Sequence, residues 1–322
     1  MTLTDKIFQL VVAVAIFALV LALVLVVADR VRGKRAERWQ GFAFVVPAVL
    51  LLLVGLIYPA LLTAYQSFFD ASSVNFVGLE NYVNIFTQPD LLIVLRNTFL
   101  WVVLTPIVAT AVGLVYAVLV DRARGEAFAK ALIFLPMAIS FVGASIIWKF
   151  VYEYRPNQQN IQQIGLLNQL LVWLGFEPVN FLLVPFWNNL LLIVVMIWIQ
   201  AGFAMTLLSA AIKAIPDDIT EAARLDGVGG FRMFFYITLP SIRPAVIVVV
   251  TTISIGVLKV FDIVRTMTGG QFGTSVVANE FYVQSFRLFD VGTGSSLAMI
   301  LFILVIPIVV YNVRQLRASE AR

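Results

Sequence analysis

The stretch that decides the fold is Ile215-Pro-Asp-Asp-Ile-Thr-Glu-Ala-Ala-Arg-Leu-Asp-Gly-Val-Gly-Gly-Phe-Arg-Met-Phe-Phe-Tyr-Ile-Thr-Leu-Pro240. Pro216 suits the first position of a helix, and Asp217 and Asp218 favour the positive end of the helix dipole. Asp218, followed three residues later by Glu221, also fits a start like that of a capping box. These residues predict a short helix that begins at Pro216.

The same stretch predicts a turn and a second helix. Gly227 follows the last helical residues, where a left-handed cap is easy for glycine, and residues 228–230 complete the turn. Residues 231–237 then form a short apolar helix that we expect Pro240 to end. A helix this apolar is expected to lie against other helices or at a membrane interface.

The first of these helices has a possible mechanical use. Ala222 and Ala223 are small enough for a partner surface to approach the backbone, and Glu221 offers an anion for a partner arginine. The alternative is an ordinary amphipathic loop that only caps the rest of the molecule. Spacing alone does not decide between the two.

The composition places the chain in a membrane. Of its 322 residues 61% are hydrophobic and 12% are charged, and the mean hydropathy is +0.98. The chain has no cysteine and no histidine, which excludes disulfides and zinc sites built on those residues. The net charge of +4 is no sign of nucleic-acid binding, because the basic residues mainly separate apolar runs.

Seven apolar runs are long enough to cross a bilayer, which needs roughly 20 residues in a helix. They cover residues 7–28, 41–65, 97–120, 131–152, 186–210, 244–264 and 295–313. The sequence therefore predicts an all-α integral membrane protein with about seven transmembrane helices. Residues 1–40 are predicted to form an extra helix and a basic loop, and residues 41–322 the main transmembrane domain.

The basic residues predict the orientation. Fifteen of the 22 lysines and arginines lie in the loops after the first, third, fifth and seventh runs. The positive-inside rule places these loops in the cytoplasm, with the N-terminus outside and the C-terminus inside. The first run is expected to be a retained helix, because it is long for a signal sequence and basic residues follow it. A cleaved leader remains the alternative.

The loop also carries a specific motif. Glu221-Ala222-Ala223, then Asp226-Gly227, then residues 237–240 resemble, in order and spacing, the "EAA" signature of permeases from binding-protein-dependent ABC importers. In that family the loop, here about 211–243, is the coupling helix that sits in a cleft of a cytoplasmic ATPase. The resemblance assigns ATPase coupling to Glu221, Ala222, Ala223, Asp226, Gly227, Ile237, Leu239 and Pro240.

Further segments resemble the carbohydrate-uptake branch of the family. These are residues 261–264, 267–270 and 78–82, and the likeness is greatest to maltose and α-glucoside permeases of the larger-subunit type. Gln271 departs from the pattern, since many relatives continue with a third glycine and a proline. The resemblance implies a six-helix type I permease core in a bacterial inner membrane, with one extra N-terminal helix.

The family resemblance also implies partners and a substrate site. The partners are a second, related permease, an ATPase dimer that holds the ATP and Mg²⁺, a sugar-binding protein outside the cell, and membrane lipid, with no nucleic acid. Substrate contacts in the maltose-type permeases fall at positions that match Gln200, Phe203, Thr252, Gly256 and Lys259.

Reasoning from the residues alone supports a polar cavity, because polar groups inside spans usually face the bundle interior. Thr252, Gly256, Lys259 and Ile263 share one helical face by spacing. The alternatives are that Lys259 snorkels or pairs with Asp262, that Gln200 only joins helices, and that Gly256 allows close packing.

Several function classes remain in competition. The sequence has no phosphate-binding Gly-x-x-x-x-Gly-Lys-Ser/Thr loop, so we expect no ATP site, no cofactor and no catalysis in this chain. Rival hypotheses are an ABC permease for another solute, an intramembrane enzyme such as a lipid-linked glycosyltransferase, and an ion-coupled carrier. The last would be expected to show ionisable groups within its spans and often a self-similar second half.

Overall fold

The computed structural model describes residues 36–121, 123–156 and 163–320, with scattered residues before them. Ten of the 22 residues of the first predicted span, 7–28, lie outside the described residues, so this span stays a prediction. The chain divides into two compact units, Met1–Tyr65 and Gln66–Arg322, and each is described by itself. The predicted domain boundary after residue 40 stays a prediction.

The first unit contains one long, apolar helical segment. Helix α1 (Ala36–Leu52) continues through a π-helical turn, Leu53–Ile57, into α2 (Tyr58–Gln66). The part from Phe44 to Gln66 is long and apolar enough to cross a membrane. This confirms the predicted span at 41–65.

The second unit is helical throughout its described residues, apart from short connections. Its helices are α3 (Glu80–Thr87), α4 (Pro89–Val120), α5 (Glu126–Phe134), α6 (Phe141–Val151), α7 (Leu166–Trp173), α8 (Trp187–Lys213), α9 (Asp217–Leu225), α10 (Gly230–Met233), α11 (Leu239–Ser241), α12 (Arg243–Leu258), α13 (Asp262–Met267), α14 (Val277–Phe286) and α15 (Val291–Glu320). Short 3₁₀ turns cover Leu135–Ala138 and Phe181–Leu183, and a π-helical turn covers Phe234–Thr238.

Three spans of this unit are continuous, and they confirm the predicted runs at 97–120, 186–210 and 295–313. They are α4, α8 and the segment Val291–Gln315 of α15. In two further places, a span long enough to cross a membrane results only when two helices joined at a bend are taken together. Glu126–Ala138 and Phe141–Val151 meet at 104°, and Gly230–Ser241 and Arg243–Leu258 meet at 68°. The described residues thus hold four continuous spans, or six if each bent pair is one.

The prediction of unbroken helices at 131–152 and 244–264 is therefore wrong. The first breaks at Ile139 and Ser140, whose backbone is extended; the Ser140 hydroxyl then caps α6 by accepting the Gly143 N–H at 3.1 Å. The second ends at Leu258, since Lys259 and Phe261 leave the helical conformation. Hydropathy does not register such breaks, because the residues on both sides of them are apolar.

Pro240 also behaves differently from the prediction, since the helical path continues through it to Ser241. Proline lacks an N–H and its ring clashes with the carbonyl four residues earlier. The π-helical turn just before it, Phe234–Thr238, widens the helix there. Leu53–Ile57 stands in the same position relative to Pro59. The real bend comes at Ile242, with φ −91° and ψ 4°.

The core of this unit is the contact of α8 with α4, α5 and α12. A Cβ atom on Gly113 would lie 2.6 Å from the Ala204 Cβ, and one on Gly202 would lie 2.4 Å from the Ile133 carbonyl oxygen. Missing side chains therefore let the helix backbones approach closely. The fully buried Trp101 donates its indole N–H to the Asn189 side chain at 2.9 Å and adds a polar link between α4 and α8.

The glycine-rich loop after α13 is held to the same two helices. The side-chain amide of Asn97 donates to the carbonyls of Gly273 (2.7 Å) and Ser275 (3.0 Å). Asn188 donates to the Phe272 carbonyl at 2.9 Å. Both asparagines are fully buried, so they fix the loop across more than 80 residues of sequence.

An aspartate closes a turn in the loop before α3. The Asp70 carboxylate accepts the Val74 N–H at 2.9 Å and the Asn75 amide at 2.7 Å. These hydrogen bonds lower the pKa of Asp70 to about 2. In the same loop the Ala71 carbonyl accepts a hydrogen bond from the Val291 N–H. This bond connects the loop to the start of α15.

We expect Gly113→Ala to destabilise the chain, because the added methyl group has no room between α4 and α8. Overpacking of this kind costs about 1–3 kcal/mol. Gly256→Ala is the matched control, since nothing lies within 4 Å of a Cβ atom at that position. Thermal denaturation in detergent measures both, and equal midpoints for the two variants would contradict the packing described.

Asn97→Ala should loosen the glycine-rich loop, because the carbonyls of Gly273 and Ser275 would lose their donor. The buried bond to Ser275 sets the expected cost at ~1–3 kcal/mol. Hydrogen exchange of backbone amides in residues 270–277 should accelerate. Asn84→Ala is the control, because the Asn84 side chain makes no hydrogen bond within the described chain. Unchanged exchange in Asn97→Ala would show that the loop is held by other contacts.

Candidate functional site

The predicted coupling helix exists as α9, but its start differs from the prediction. Pro216 lies just before the helix as its N-cap residue, with φ −56° and ψ 135°, instead of at the first helical position. No side chain caps the helix, so the predicted capping box of Asp218 and Glu221 does not form. Asp217 and Asp218 do occupy the first turn, where the dipole favours them.

The end of α9 follows the prediction closely. Gly227 has φ +77°, the left-handed conformation expected of a glycine cap. Its N–H donates to the Arg224 carbonyl, and the Val228 N–H donates to the Ala223 carbonyl, both at 3.0 Å. This pair of bonds is the Schellman motif, which closes a helix firmly before a change of direction.

The two alanines of the motif face different ways. Ala222 is exposed together with Glu221 and Leu225, which is 89% exposed, and these three share one face by spacing. Ala223 is only 7% exposed. The expectation that both alanines offer room to a partner is therefore wrong for Ala223, because successive helical residues point about 100° apart.

The second helical segment, Gly230–Ser241, also has two faces. Met233, Phe234, Ile237 and Thr238 are half-buried on one side. Phe231 (79% exposed) and Tyr236 (77% exposed) lie on the other. The expectation that this segment packs with other helices thus holds for one face. Of the remaining motif residues, Leu239 is half-buried and Pro240 exposed.

A cavity of about 240 Å³ lies behind α9. Its wall combines apolar ends of α4 and α8 with charged and polar side chains. The lining includes Val118, Asp121, Ile212, Lys213, Asp217, Thr220, Arg224, Met233, Phe234 and Thr238. Helix α9 therefore borders a pocket between itself and the ends of α4 and α8.

Beside this cavity is a charged cluster that the sequence analysis missed. Glu126 Oε1 accepts hydrogen bonds from Lys130 Nζ at 2.6 Å and from Lys213 Nζ at 2.5 Å. Lys213 also lies 3.5 Å from Asp121 Oδ1, and Lys130 donates to the Ser209 hydroxyl. The sequence offered one signal, two carboxylates within a loop otherwise rich in basic residues. Their distant partner Lys213 becomes visible only in the fold.

The five residues of the predicted substrate site lie on α8 and at the end of α12. Gln200 and Phe203 are half-buried, and Phe203 packs on the core. Thr252, Gly256 and Lys259 are exposed on one side of α12 and its C-cap. The structure packs α8 against α12.

Two of the competing explanations for these residues fail in the structure. Nothing lies within 4 Å of a Cβ atom at Gly256, so this glycine is no close-packing site within the chain. Among the described residues, Lys259 and Asp262 form no salt bridge. The predicted shared face also fails at Ile263, which is buried in α13 beyond the break.

Polar residues inside the spans fall into two groups. Asn188, Asn189 and Thr251 are buried and hydrogen-bonded within the chain; Thr251, for example, accepts the Asn312 amide at 2.8 Å. Gln200 and Thr252 make no hydrogen bond to the described residues. The first group therefore stabilises the bundle, and the second is left available.

Comparison with known proteins identifies the family. Residues 93–318 match the family described as binding-protein-dependent transport system inner membrane component. The osmoprotective compounds uptake permease protein GgtC of Synechocystis is 52% identical over 86% of this chain and 99% of its own length. The alpha-glucoside transport system permease protein AglF of Rhizobium meliloti is 46% identical over 87% of this chain and 83% of its own.

The fold matches that of a solved transporter subunit. A chain of a bacterial alginate ABC transporter, crystallised with an alginate-bound periplasmic protein, has a TM-score of 0.73 and 20% identity. The match covers 87% of this chain and 94% of that one. By sequence and by fold, the chain belongs to the inner-membrane permease components of binding-protein-dependent ABC transporters.

Proposed function

We propose that the chain is the membrane-spanning permease subunit of an ATP-driven carbohydrate importer, most closely of the α-glucoside type. The observation that carries the proposal is the exposed face of α9, which presents Glu221 and Ala222 to solvent. This face lies at the end of the bundle where α4 and α8 contact α5. AglF, which is 46% identical, is an alpha-glucoside transport system permease protein, and this supports α-glucosides as cargo.

The proposal includes partners that hold what this chain lacks. A cytoplasmic ATPase dimer binds ATP and Mg²⁺ and receives α9, a second permease completes the path, and an extracytoplasmic protein delivers the sugar. The chain itself carries no cofactor and does no covalent chemistry. In support, a periplasmic protein accompanies the alginate transporter of similar fold.

The orientation follows from the loops. We place the loop with α9 and the C-terminus in the cytoplasm and the N-terminus outside, because the basic residues concentrate on that side. The glycine-rich loop then faces outward, beside the expected docking side of the binding protein.

Transport proceeds by alternating access. Closure of the ATPase dimer moves α9, and the permease halves rock about a site in the membrane. Gln200, Thr252 and Lys259 supply hydrogen bonds to sugar hydroxyls, and Phe203 supplies an aromatic surface. Gly256 leaves open space beside them. The exposure of Thr252, Gly256 and Lys259 supports this role, since a path between two permeases needs open faces.

A second candidate cargo has its own observation. GgtC, 52% identical, is named for osmoprotective compounds instead of glucosides. Uptake by the reconstituted transporter separates the two: maltose and trehalose test the α-glucoside assignment, and glycine betaine tests a non-sugar osmoprotectant. Uptake of glycine betaine alone would replace the carbohydrate proposal.

Glu221→Ala should weaken binding of the ATPase about 10- to 100-fold, because a charge-assisted hydrogen bond contributes ~1.5–3 kcal/mol. Co-purification of the solubilised chain with its candidate ATPase and sister permease measures this. Glu177→Ala is the control, an exposed carboxylate in the loop after α7. If the wild-type chain retains no ATPase, and uptake persists after ATP depletion, an ion-coupled carrier becomes the better explanation.

Lys259→Met should raise the KM for maltose uptake by roughly tenfold, the effect of losing one hydrogen bond from a charged donor. ATPase association should not change, because Lys259 lies at the far end of α12 from α9. Lys149→Met is the matched control, since Lys149 is an exposed lysine in the last turn of α6. An unchanged KM in Lys259→Met would remove this lysine from the substrate site.

A further inference from the structure

The charged cluster of Asp121, Glu126, Lys130 and Lys213, here called the clamp, joins parts of the chain that are far apart in sequence. Lys213 is the last residue of α8, and Glu126 is the first of α5, 87 residues earlier. Asp121 follows the last residue of α4. One lysine side chain therefore connects the ends of two spans to the start of a third helix.

The clamp sits at the root of the coupling helix. Only Ala214, Ile215 and Pro216 separate Lys213 from the first residue of α9. Lys213 and Asp121 also line the cavity behind α9. Because a pocket separates part of α9 from α4 and α8, packing alone does not fix the position of α9. Its position also depends on its root, the connection of residues 213–216 that joins it to α8.

Simple stability is a weak explanation for the clamp. The Lys213 side chain, which makes the contacts between distant parts of the chain, is 50% exposed. Ion pairs with this much access to water add little to the free energy of unfolding. The buried contact of α8 with α4 through Gly113 supplies the packing at this end without them.

The clamp instead suits the transmission of movement. A partner that displaces the coupling helix can move the transmembrane helices only if the connection between them is rigid. With Lys213 held by Glu126 and Asp121, a displacement of α9 is passed to α4 and α5. With Lys213 released, the same displacement can be absorbed by the three-residue connection and the cavity.

We infer that Glu126 and Lys213 are positioning residues for energy coupling: they fix the root of α9 so that movement of the ATPase reaches the spans. This inference rests on the proposed function, because it assigns a role within the same coupling site. It gives a function to the acidic residues of the basic loop between α4 and α5.

The functional test uses the assembled transporter in proteoliposomes, with maltose as the probe. Glu126→Gln and Lys213→Met should lower the number of maltose molecules moved per ATP hydrolysed by at least about fivefold, the lower range of allosteric coupling. ATPase association should stay at the wild-type level, because Glu221 and Ala222 are untouched. Lys213→Arg, which keeps the charge, should restore coupling.

The double variant Glu126→Gln/Lys213→Met provides a second readout. If the two residues act through one contact, its loss of coupling should match that of the single variants, since the effects of interacting residues do not add. Arg124→Gln is the control, a cation of the same loop that forms no salt bridge within the described chain. Wild-type coupling in Glu126→Gln, or fully additive losses, would overturn the inference.

A measurement on the full chain alone separates this inference from the proposed function. Because the chain has no cysteine, spin labels can be placed on Asp218→Cys and Ala127→Cys without background. The label–label distance should be narrowly distributed with the clamp intact and broad in Glu126→Gln. Identical distributions would refute the clamp, whereas a wild-type chain that retains no ATPase, with uptake that persists after ATP depletion, would refute the proposed function.

Discussion

The close approach of α8 to α4 is the contact on which the second unit depends. It is possible because Gly113 has no side chain where Ala204 and Met205 lie. In a bilayer, apolar side chains gain little by leaving lipid for a helix surface, so helices associate through close packing and a few internal hydrogen bonds. Gly113 supplies the first and the Trp101–Asn189 bond the second. The glycine-rich loop and the clamp are both anchored on this helix pair, at its opposite ends.

Hydropathy predicted the existence of the spans well and their continuity poorly. An apolar run shows that a segment prefers lipid, but it does not show whether the helix bends or breaks within that segment. The break before α6 depends on a serine cap at Ser140, and the end of α12 on the backbone of three residues after Leu258. Each of these features involves only one polar side chain or a few backbone angles. Hydropathy averaged over about twenty residues therefore does not reveal them. Pro240 shows the converse, a breaker that a π-helical turn accommodates.

Helix α9 was predictable because its determinants are adjacent in sequence. A glycine cap and two aspartates in the first turn act within a few residues of one another. The sequence did not show which residues of this helix pack against the rest of the chain. Ala223, which is buried, is the example. Asn97 and Glu126 were missed for a related reason. Their partners, Ser275 and Lys213, lie 178 and 87 residues away and become neighbours only after folding.

The division of intramembrane polar residues into bonded and unbonded groups carries functional information. A polar side chain in a span costs free energy unless it finds a partner. Asn188 and Thr251 have found theirs inside the chain, and Asn189 has one for its side-chain oxygen. Gln200 and Thr252 have no such partner among the described residues. Under the proposed function, water, a second permease or a bound solute would supply that partner. A sugar is well matched to this arrangement, since its hydroxyls both donate and accept hydrogen bonds and its ring faces pack on aromatic side chains such as Phe203.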